Sequence, residues 1–175
     1  HDEATLKIAR ELRLRQPDGV LSFDPIGDYG HPDHIAISQL SMAAIVAAAD
    51  PDHAGLEDLP AHIVSKFYYR LPDAEETEIY ESIFGDLVME VDGIERRSVS
   101  WKKWSITTAL DATPHWESVW QAVLCHQSQI PAYGMLKALP EETHQRLWGR
   151  QNYYRVFSLV NGGRQVERDL FTGLR

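Results

Sequence analysis

Hydrophobic positions in the first third of the chain follow helical and strand spacing in turn. Residues 5–14 place leucine, isoleucine and alanine close to helical spacing, and a Pro-Asp-Gly turn follows at 17–19. Residues 20–23 form an apolar run of strand length. A loop rich in glycine, aspartate and proline leads into residues 32–49, where small apolar side chains predict a second helix.

The same alternation continues through the rest of the chain. The pattern predicts strands at 62–69, 86–91 and 153–160, helices at 114–129 and 140–150, and an extended or irregular segment at 97–108. Residues 73–82 are too polar to assign. Helices and strands alternate without a clear hairpin, and no repeat or linker is visible. This order predicts an α/β layer fold with mostly parallel strands in one domain.

Composition and charge narrow the classes of function. The net charge is −9, from 17 basic and 26 acidic residues, and no basic block reaches five residues, which argues against a nucleic-acid partner. No apolar run approaches the length of about 18 residues that a membrane span needs. The single cysteine, Cys125, excludes an internal disulfide. It lies among apolar residues, so we expect it to be buried, and a reducing, cytoplasmic location fits.

The run YGHPDH at 29–34 concentrates groups that can do chemistry. It follows a predicted strand and opens a predicted helix, which is where open α/β sheets bind ligands. Pro32 suits the first helical position, and His31 would lie near the N-cap. His34 lies three positions after His31. This spacing places both imidazoles on one side of the helix start.

Two imidazoles and the carboxylate of Asp33 form a plausible metal-binding or acid–base cluster. The positive end of the helix keeps a nearby imidazole neutral, as a metal ligand must be, and His34 gains from that. An imidazole that acts as a general acid must instead be protonated. The carboxylate of Asp33 could favour the protonated form of His31. A polar helix start on a surface loop is the alternative, because a zinc site needs three or more protein ligands.

Other sequence features carry weaker signals. His126 follows Cys125 on the predicted helix at 114–129, where a histidine usually packs or forms hydrogen bonds. The acidic cluster at 73–76 is typical of a solvated face rather than of a glycosidase carboxylate pair. The sequence contains no G-x-S-x-G, P-loop or G-x-G-x-x-G motif, so serine hydrolase, nucleotide hydrolase and dinucleotide-binding functions lack support.

Three segments together resemble the PIG-L/LmbE-like N-deacetylases. They are FDPIGDYGHPDHIA at 23–36, similar to the family's second signature, HQSQ at 126–129, similar to its later H-x-S-Q segment, and ERDLFTGL at 167–174, similar to the C-terminus of bacterial members. The resemblance implies a Rossmann-like α/β fold. It also implies hydrolysis of the acetamide of N-acetylglucosamine-type substrates, usually with zinc.

The resemblance also implies a role for individual residues. His34 would be a metal ligand. His31 would protonate the leaving amine or stabilise the tetrahedral intermediate, and Asp33 would orient His31 and tune its charge. Tyr29 would polarise the acetyl carbonyl or hold the oxyanion.

Two further residues would lie on the substrate side. Gly30 lacks a side chain and allows close approach of a substrate. His126 would contact the substrate or support the residues that do.

The family's first signature, H-P-D-D, is absent from this chain. In the family it supplies a histidine and an aspartate as the other two ligands, and a second aspartate as the general base. Residues 1–175 therefore resemble the C-terminal portion of a single deacetylase domain whose first strand or strands lie outside the chain. An N-terminal fragment carrying H-P-D-D would then be a partner. The alternative is a chain that stands alone.

In both arrangements we expect the chain alone to differ in activity from the complete enzyme. The chain by itself would be inactive and would bind metal weakly or not at all, because it holds one predicted ligand of three. The complete enzyme would use zinc or another divalent metal, with the remaining ligands from outside these residues, on a small N-acetylated sugar or glycoconjugate. A function of another class is also open: a non-catalytic sugar-binding or interaction domain that keeps the fold without the metal half of the site.

Overall fold

A computed structural model describes residues 2–163 and 165–174, in six α-helices and six strands. In chain order these are α1 (Asp2–Arg15), β1 (Gly19–Ser22), α2 (Pro32–Ala49), β2 (Lys66–Leu71), α3 (Ala74–Phe84), β3 (Val88–Val91), β4 (Ile94–Arg97), β5 (Thr108–Asp111), α4 (Trp116–Leu124), α5 (Ile130–Tyr133), α6 (Glu141–Trp148) and β6 (Arg150–Ser158). No described helix is long and apolar enough to cross a membrane.

Four strands form the main sheet in the order β1-β2-β6-β5. Strands β1 and β2 are parallel, whereas β6 runs antiparallel to both β2 and β5. The α/β fold class is confirmed, but the sheet is mixed, and the expectation of mostly parallel strands holds for β1 and β2. An apolar run does not encode strand direction, which depends on how the connecting segments return to the sheet. Here α6 leads straight into β6 through Gly149.

Strands β3 and β4 form a separate two-stranded hairpin, so the expectation of a chain without hairpins is wrong. Its turn is Asp92-Gly93, and both residues have positive φ, 53° and 73°. Positive φ at both central positions defines the type I′ turn, and Asp-Gly is a strong sequence signal for it. The sequence therefore contained the hairpin signal in the Asp-Gly pair itself.

Helix boundaries differ from the hydrophobic pattern in two places. The helix expected at 114–129 ends at Leu124, and residues 125–129 form turns, so His126 lies beyond the helix. The unassigned polar segment at 73–82 is α3, whose N-cap Asp73 accepts a hydrogen bond from the Glu76 backbone N–H at 2.9 Å. An aspartate cap satisfies a free N–H at the helix start, and it lets a mostly polar segment form a helix.

The core has two parts. One lies where α1 and α2 pack together and against the sheet, and it includes Ala9, Ala44, Ala48 and Phe67, each fully buried. Alanines on both helices allow their backbones to approach closely. The second part lies among α3, α4 and α6 around Ile79, Leu147 and Trp148. Cys125 lies outside both parts and is exposed, so the expectation that it is buried is wrong.

Arg13 joins α1 to the C-terminal end of α2 and the loop that follows. Its guanidinium is buried and donates hydrogen bonds to backbone carbonyls of Ala47, Ala48, Asp50, Leu56 and Leu59. The last carbonyls of a helix lack partners within the helix and carry partial negative charge. Arg13 therefore satisfies the end of α2 and fixes the chain that leads to β2.

The buried carboxylate of Glu167 ties the C-terminal segment to the sheet. It accepts hydrogen bonds of 2.6–2.9 Å from Lys66, Tyr68, Thr108, Arg155 and Asn161. The Lys66 side chain is 0% exposed and that of Glu167 only 3%. Burial alone would raise the pKa of Glu167, but the hydrogen bonds outweigh it and lower the pKa to about 2.

Replacing this carboxylate by an amide should destabilise the fold strongly. In Glu167→Gln the side chain keeps its shape, but Lys66 and Arg155 lose the counter-charge that offsets their burial. We expect the free energy of unfolding in urea to fall by about 3–5 kcal/mol. Glu11→Gln is the control, because Glu11 pairs with Arg15 on an exposed helix face, where the effect should stay below about 0.5 kcal/mol. Equal losses in the two variants would contradict the role of Glu167.

Glu167 should also give the protein a characteristic acid sensitivity. Its pKa is about 2 in the folded protein against an ordinary value of 4.5, so its contribution is complete above pH 4.5. That contribution is lost as the pH falls from 4.5 towards 2, because the unfolded chain binds the proton first. Urea unfolding at several pH values should show this decline in the wild type and a shallower one in Glu167→Gln. The idea fails if the two declines are parallel.

Candidate active site

The loop between β1 and α2 is organised by the carboxylate of Asp24, which is 1% exposed. Its Oδ1 accepts the backbone N–H groups of Gly27 at 2.7 Å and Asp28 at 2.9 Å. Its Oδ2 accepts the indole N–H of Trp101 at 2.6 Å. Asp24 thus curls the loop and ties it to the segment after the β3–β4 hairpin. Its position in the run at 23–36 was visible in the sequence, but its role and its partner were not.

Four rings gather at the start of α2. Phe23 stacks on His34 with ring centroids 3.7 Å apart, and His34 stacks on His31 at 4.7 Å. Tyr29 meets the two imidazoles edge-on, at 5.9 Å and 5.6 Å. The structure therefore brings together three of the predicted site residues, His31, His34 and Tyr29. The catalytic roles assigned to them stay predictions.

His31 is the N-cap of α2, and Pro32 is the first residue of the helix, as the sequence predicts. The Nδ1 atom of His31 accepts the backbone N–H of Asp33 at 3.1 Å. This bond requires an unprotonated Nδ1, so in the neutral ring the proton lies on Nε2. The ring is oriented by the backbone of Asp33. The predicted effect of the exposed Asp33 carboxylate on the charge of His31 stays a prediction.

The environment of His34 favours a neutral imidazole. Its Nδ1 atom is buried, and no described residue forms a hydrogen bond with it. The pKa of His34 is lowered by burial and by the neighbouring His31, against a smaller opposite effect of a hydrogen bond with the Gly27 backbone. A neutral imidazole with a buried, unsatisfied nitrogen is suited to bind a metal ion.

His34 fits a metal as one ligand, and the rest of the described chain does not complete the set. Among residues 2–163 and 165–174, no group of three or more histidine, cysteine, aspartate or glutamate side chains could hold a metal ion. The number of metal ligands that this chain supplies stays a prediction. Further ligands would have to come from residues other than these.

A carboxylate that the sequence analysis did not single out, Asp28, lies next to this cluster. Burial raises the pKa of Asp28, the cation of Arg70 opposes that effect, and Asp24 and His34 also lie close enough to influence it. Arg70 in turn pairs with Glu76 of α3. Asp28 has a φ of 63°, a conformation that aspartate tolerates better than most residues. The loop thus places a second acid beside the histidines.

The two glycines of the loop are required for different reasons. Both have positive φ, 75° at Gly27 and 86° at Gly30. A Cβ at Gly27 would lie 2.7 Å from Cγ1 of Ile35, inside the first turn of α2. A Cβ at Gly30 would overlap the side chain of Arg96 from β4. The space beside Gly30 is therefore filled by the hairpin, and the predicted approach of a substrate to Gly30 stays a prediction.

His126 is placed in a turn after α4. It is exposed, and its Nδ1 atom lies 3.1 Å from the carbonyl of Ala122. The structure therefore gives it a local backbone partner. Its predicted contact with a substrate stays a prediction.

Loss of the Trp101–Asp24 bond should loosen the loop. In Trp101→Phe, Oδ2 of the buried Asp24 has no donor, and we expect a loss of about 1–3 kcal/mol in the free energy of unfolding. Hydrogen exchange at the amides of Gly27 and Asp28 should accelerate. Trp104→Phe is the matched control, because Trp104 is 84% exposed and should change stability by less than about 0.5 kcal/mol. Unchanged exchange in Trp101→Phe would contradict this link.

Curated relatives match the chain over nearly its whole length. A 1D-myo-inositol 2-acetamido-2-deoxy-alpha-D-glucopyranoside deacetylase 1 of Frankia casuarinae is 32% identical over 98% of the chain, and the corresponding deacetylase of Streptomyces avermitilis is 30% identical over 99%. A mycothiol S-conjugate amidase of Streptomyces coelicolor is 29% identical over 99%. The chain spans 57%, 60% and 61% of the lengths of these three relatives.

Solved structures match the fold. One is the crystal structure of the 4-carboxy-2-hydroxymuconate hydratase GalB from Pseudomonas putida, with a TM-score of 0.53 and 17% sequence identity. The match covers 93% of this chain and 62% of the hydratase chain. Another is the crystal structure of a conserved protein from Thermus thermophilus, with a TM-score of 0.56 and 16% sequence identity. That match covers 91% of this chain and 61% of the other. No protein-family model matches the chain. The chain is thus similar in sequence to deacetylases and an amidase, and in fold to α/β proteins.

Proposed function

We propose that the full-length protein belongs to the PIG-L/LmbE-like N-deacetylases and is a metal-dependent amide hydrolase. It removes the acetyl group from the nitrogen of an N-acetylglucosamine-type substrate. The observation that carries the proposal is the His31–His34 pair, stacked at 4.7 Å at the end of a strand and the start of a helix. The three relatives support it, because each is named as a deacetylase or an amidase.

His34 would hold the metal through its imidazole, which is kept neutral by burial. Zinc, or another divalent metal, held there would lower the pKa of a bound water and would polarise the acetyl carbonyl. The stacked ring of Phe23 restricts the orientation of the His34 imidazole. The remaining ligands and the general base are expected from an H-P-D-D motif that this chain does not contain.

His31 would act on the oxygen of the tetrahedral intermediate. Its Nδ1 accepts the Asp33 backbone N–H, so its proton is on Nε2. A ring held in this form can donate a hydrogen bond from Nε2 to an oxyanion. Protonation of the leaving amine would first need a second proton on Nδ1, at the expense of the helix cap. The geometry therefore favours stabilisation of the intermediate over acid catalysis at this position.

Tyr29 would contribute from the edge of the same cluster. Its ring centroid lies within 6 Å of both imidazoles, 5.9 Å from His31 and 5.6 Å from His34. A phenol at this position can donate to the acetyl oxygen as negative charge develops on it. Gly30 and His126 would lie on the substrate side.

Substitutions of the two histidines should separate metal binding from catalysis in the full-length protein. His34→Ala should lose both the metal and the acetate-releasing activity. His31→Ala should keep the metal and lose about 10²–10³ in kcat, the usual cost of removing a donor to an oxyanion. His53→Ala is the control, because His53 is bonded to its neighbour Ala54 on another loop and should change neither quantity. Metal content is measured by elemental analysis, and kcat by release of acetate.

Two outcomes would contradict this assignment. Full metal content together with full activity in His34→Ala would remove His34 from the site. Loss of the metal in His31→Ala would show that the two histidines do not divide the roles in this way.

A second candidate follows from the incomplete ligand set in the described part of the chain. It is a sugar-binding or interaction domain without catalysis. The wild-type protein separates the two: a stoichiometric metal with release of acetate supports the enzyme, whereas sugar binding without either supports the second candidate.

A further inference from the structure

The β3–β4 hairpin presents two unlike faces. Its register pairs Met89 with Arg96 and Val91 with Ile94, and cross-strand partners share a face. On this face only Ile94 is exposed, and Met89, Val91 and Arg96 are half-buried. The opposite face consists of exposed residues, namely Val88, Glu90, Glu95 and Arg97. The first face, which carries a single cation, is therefore turned towards the protein.

The side chain of Arg96 lies across the backbone of the candidate active site. Three of its aliphatic carbons, Cβ, Cγ and Cδ, occupy the space beside Gly30 where a side chain would otherwise project. Gly30 directly precedes His31 in the chain. The stem of Arg96 is thus held against the loop that leads to His31 and the start of α2, and the charged end lies within one side-chain length of that loop.

The guanidinium of Arg96 has no partner in the part of the chain that the structure describes, since neither a hydrogen bond nor an ion pair reaches it. The neighbouring Arg97 differs, because it pairs with Glu95 at 2.8 Å and with Asp86 at 3.4 Å. Arg70, near the same loop, pairs with Glu76. Within the described residues, Arg96 is therefore a cation beside this loop whose donors remain available.

We infer that Arg96 is a specificity-determining residue that binds an anionic group, phosphate or carboxylate, on an amino-sugar substrate. The planar guanidinium presents donors that match two oxygens of such a group, and charge-assisted hydrogen bonds of this kind are stronger than bonds to neutral hydroxyls. The packed stem reduces the freedom that the side chain must lose on binding. The inference rests on the proposed function for the class of substrate, and the anion is assigned from Arg96 itself.

Binding measurements on the full-length protein test this directly. The probes are N-acetylglucosamine, N-acetylglucosamine 1-phosphate and N-acetylmuramic acid, which carry no anion, a phosphate and a carboxylate. Titration calorimetry should show at least one anionic probe binding about tenfold or more tightly than the neutral sugar, as one charge-assisted pair would give. Preference for one anionic probe over the other identifies the source of the anion, and either preference supports the inference.

Variants assign the preference to Arg96. Arg96→Met keeps the packed stem and should bind all three probes with the affinity of the neutral sugar. Arg96→Lys keeps the charge without the planar fork and should retain part of the preference. Arg97→Gln is the matched control on the same strand and should behave as the wild type. Thermal unfolding of each variant shows whether the hairpin remains folded.

The inference is overturned if the wild type binds the three probes equally, or if Arg97→Gln loses the preference as fully as Arg96→Met. Failure of the proposed function gives a different result. The anionic probes would then bind through Arg96 without release of acetate. Release of acetate from all probes with the same KM in wild type and Arg96→Met would instead support the proposed function and remove Arg96 from recognition.

Discussion

The buried carboxylate of Glu167 is the constraint on which the sheet depends. Two cations reach it, the buried Lys66 from β2 and the half-buried Arg155 from β6. Neither has another carboxylate within ion-pair distance among the described residues. Charges removed from water are costly unless they are paired and bonded on every side. The same carboxylate accepts a hydrogen bond from the hydroxyl group of Thr108 in β5, so three strands of the sheet meet at one side chain. Displacement of this carboxylate would leave both cations without a counter-charge.

This constraint at the sheet also determines where the candidate site can lie. Strand β2 is held by Glu167 through Lys66, and β1 pairs with β2 in parallel, from Gly19 opposite Lys66 to Ser22 opposite Tyr69. The chain leaves β1 at Ser22 and enters the loop that Asp24 shapes. The imidazoles therefore stand at the carboxyl end of a parallel pair. That edge of an α/β sheet is where helix starts and loops converge to form binding sites.

The sequence predicted those features that local chemistry controls. Helical spacing, a proline at the first position and the histidine spacing were enough to place α2 and to bring His31 and His34 to one side. Local chemistry did not predict three other features: the direction of β6, the position of Arg96 over Gly30 and the partner of Asp24. Each depends on residues far apart in sequence, and nothing in a local pattern selects one distant partner over another. The Asp92-Gly93 turn is the exception, because its signal is local: an Asp-Gly pair is typical of a two-residue hairpin turn.

The bond between Asp24 and Trp101 joins residues 77 positions apart, and this separation has a consequence for protein synthesis. At the usual rate of translation, roughly 5–20 residues per second, the indole leaves the ribosome about 4–15 s after the carboxylate that it will meet. Arg96 emerges only slightly earlier. During that interval the loop between β1 and α2 has its own backbone contacts but lacks its later partners, Trp101 and Arg96. In the nascent chain α1 and α2 are therefore complete before the loop between β1 and α2 can gain the bond that fixes its shape.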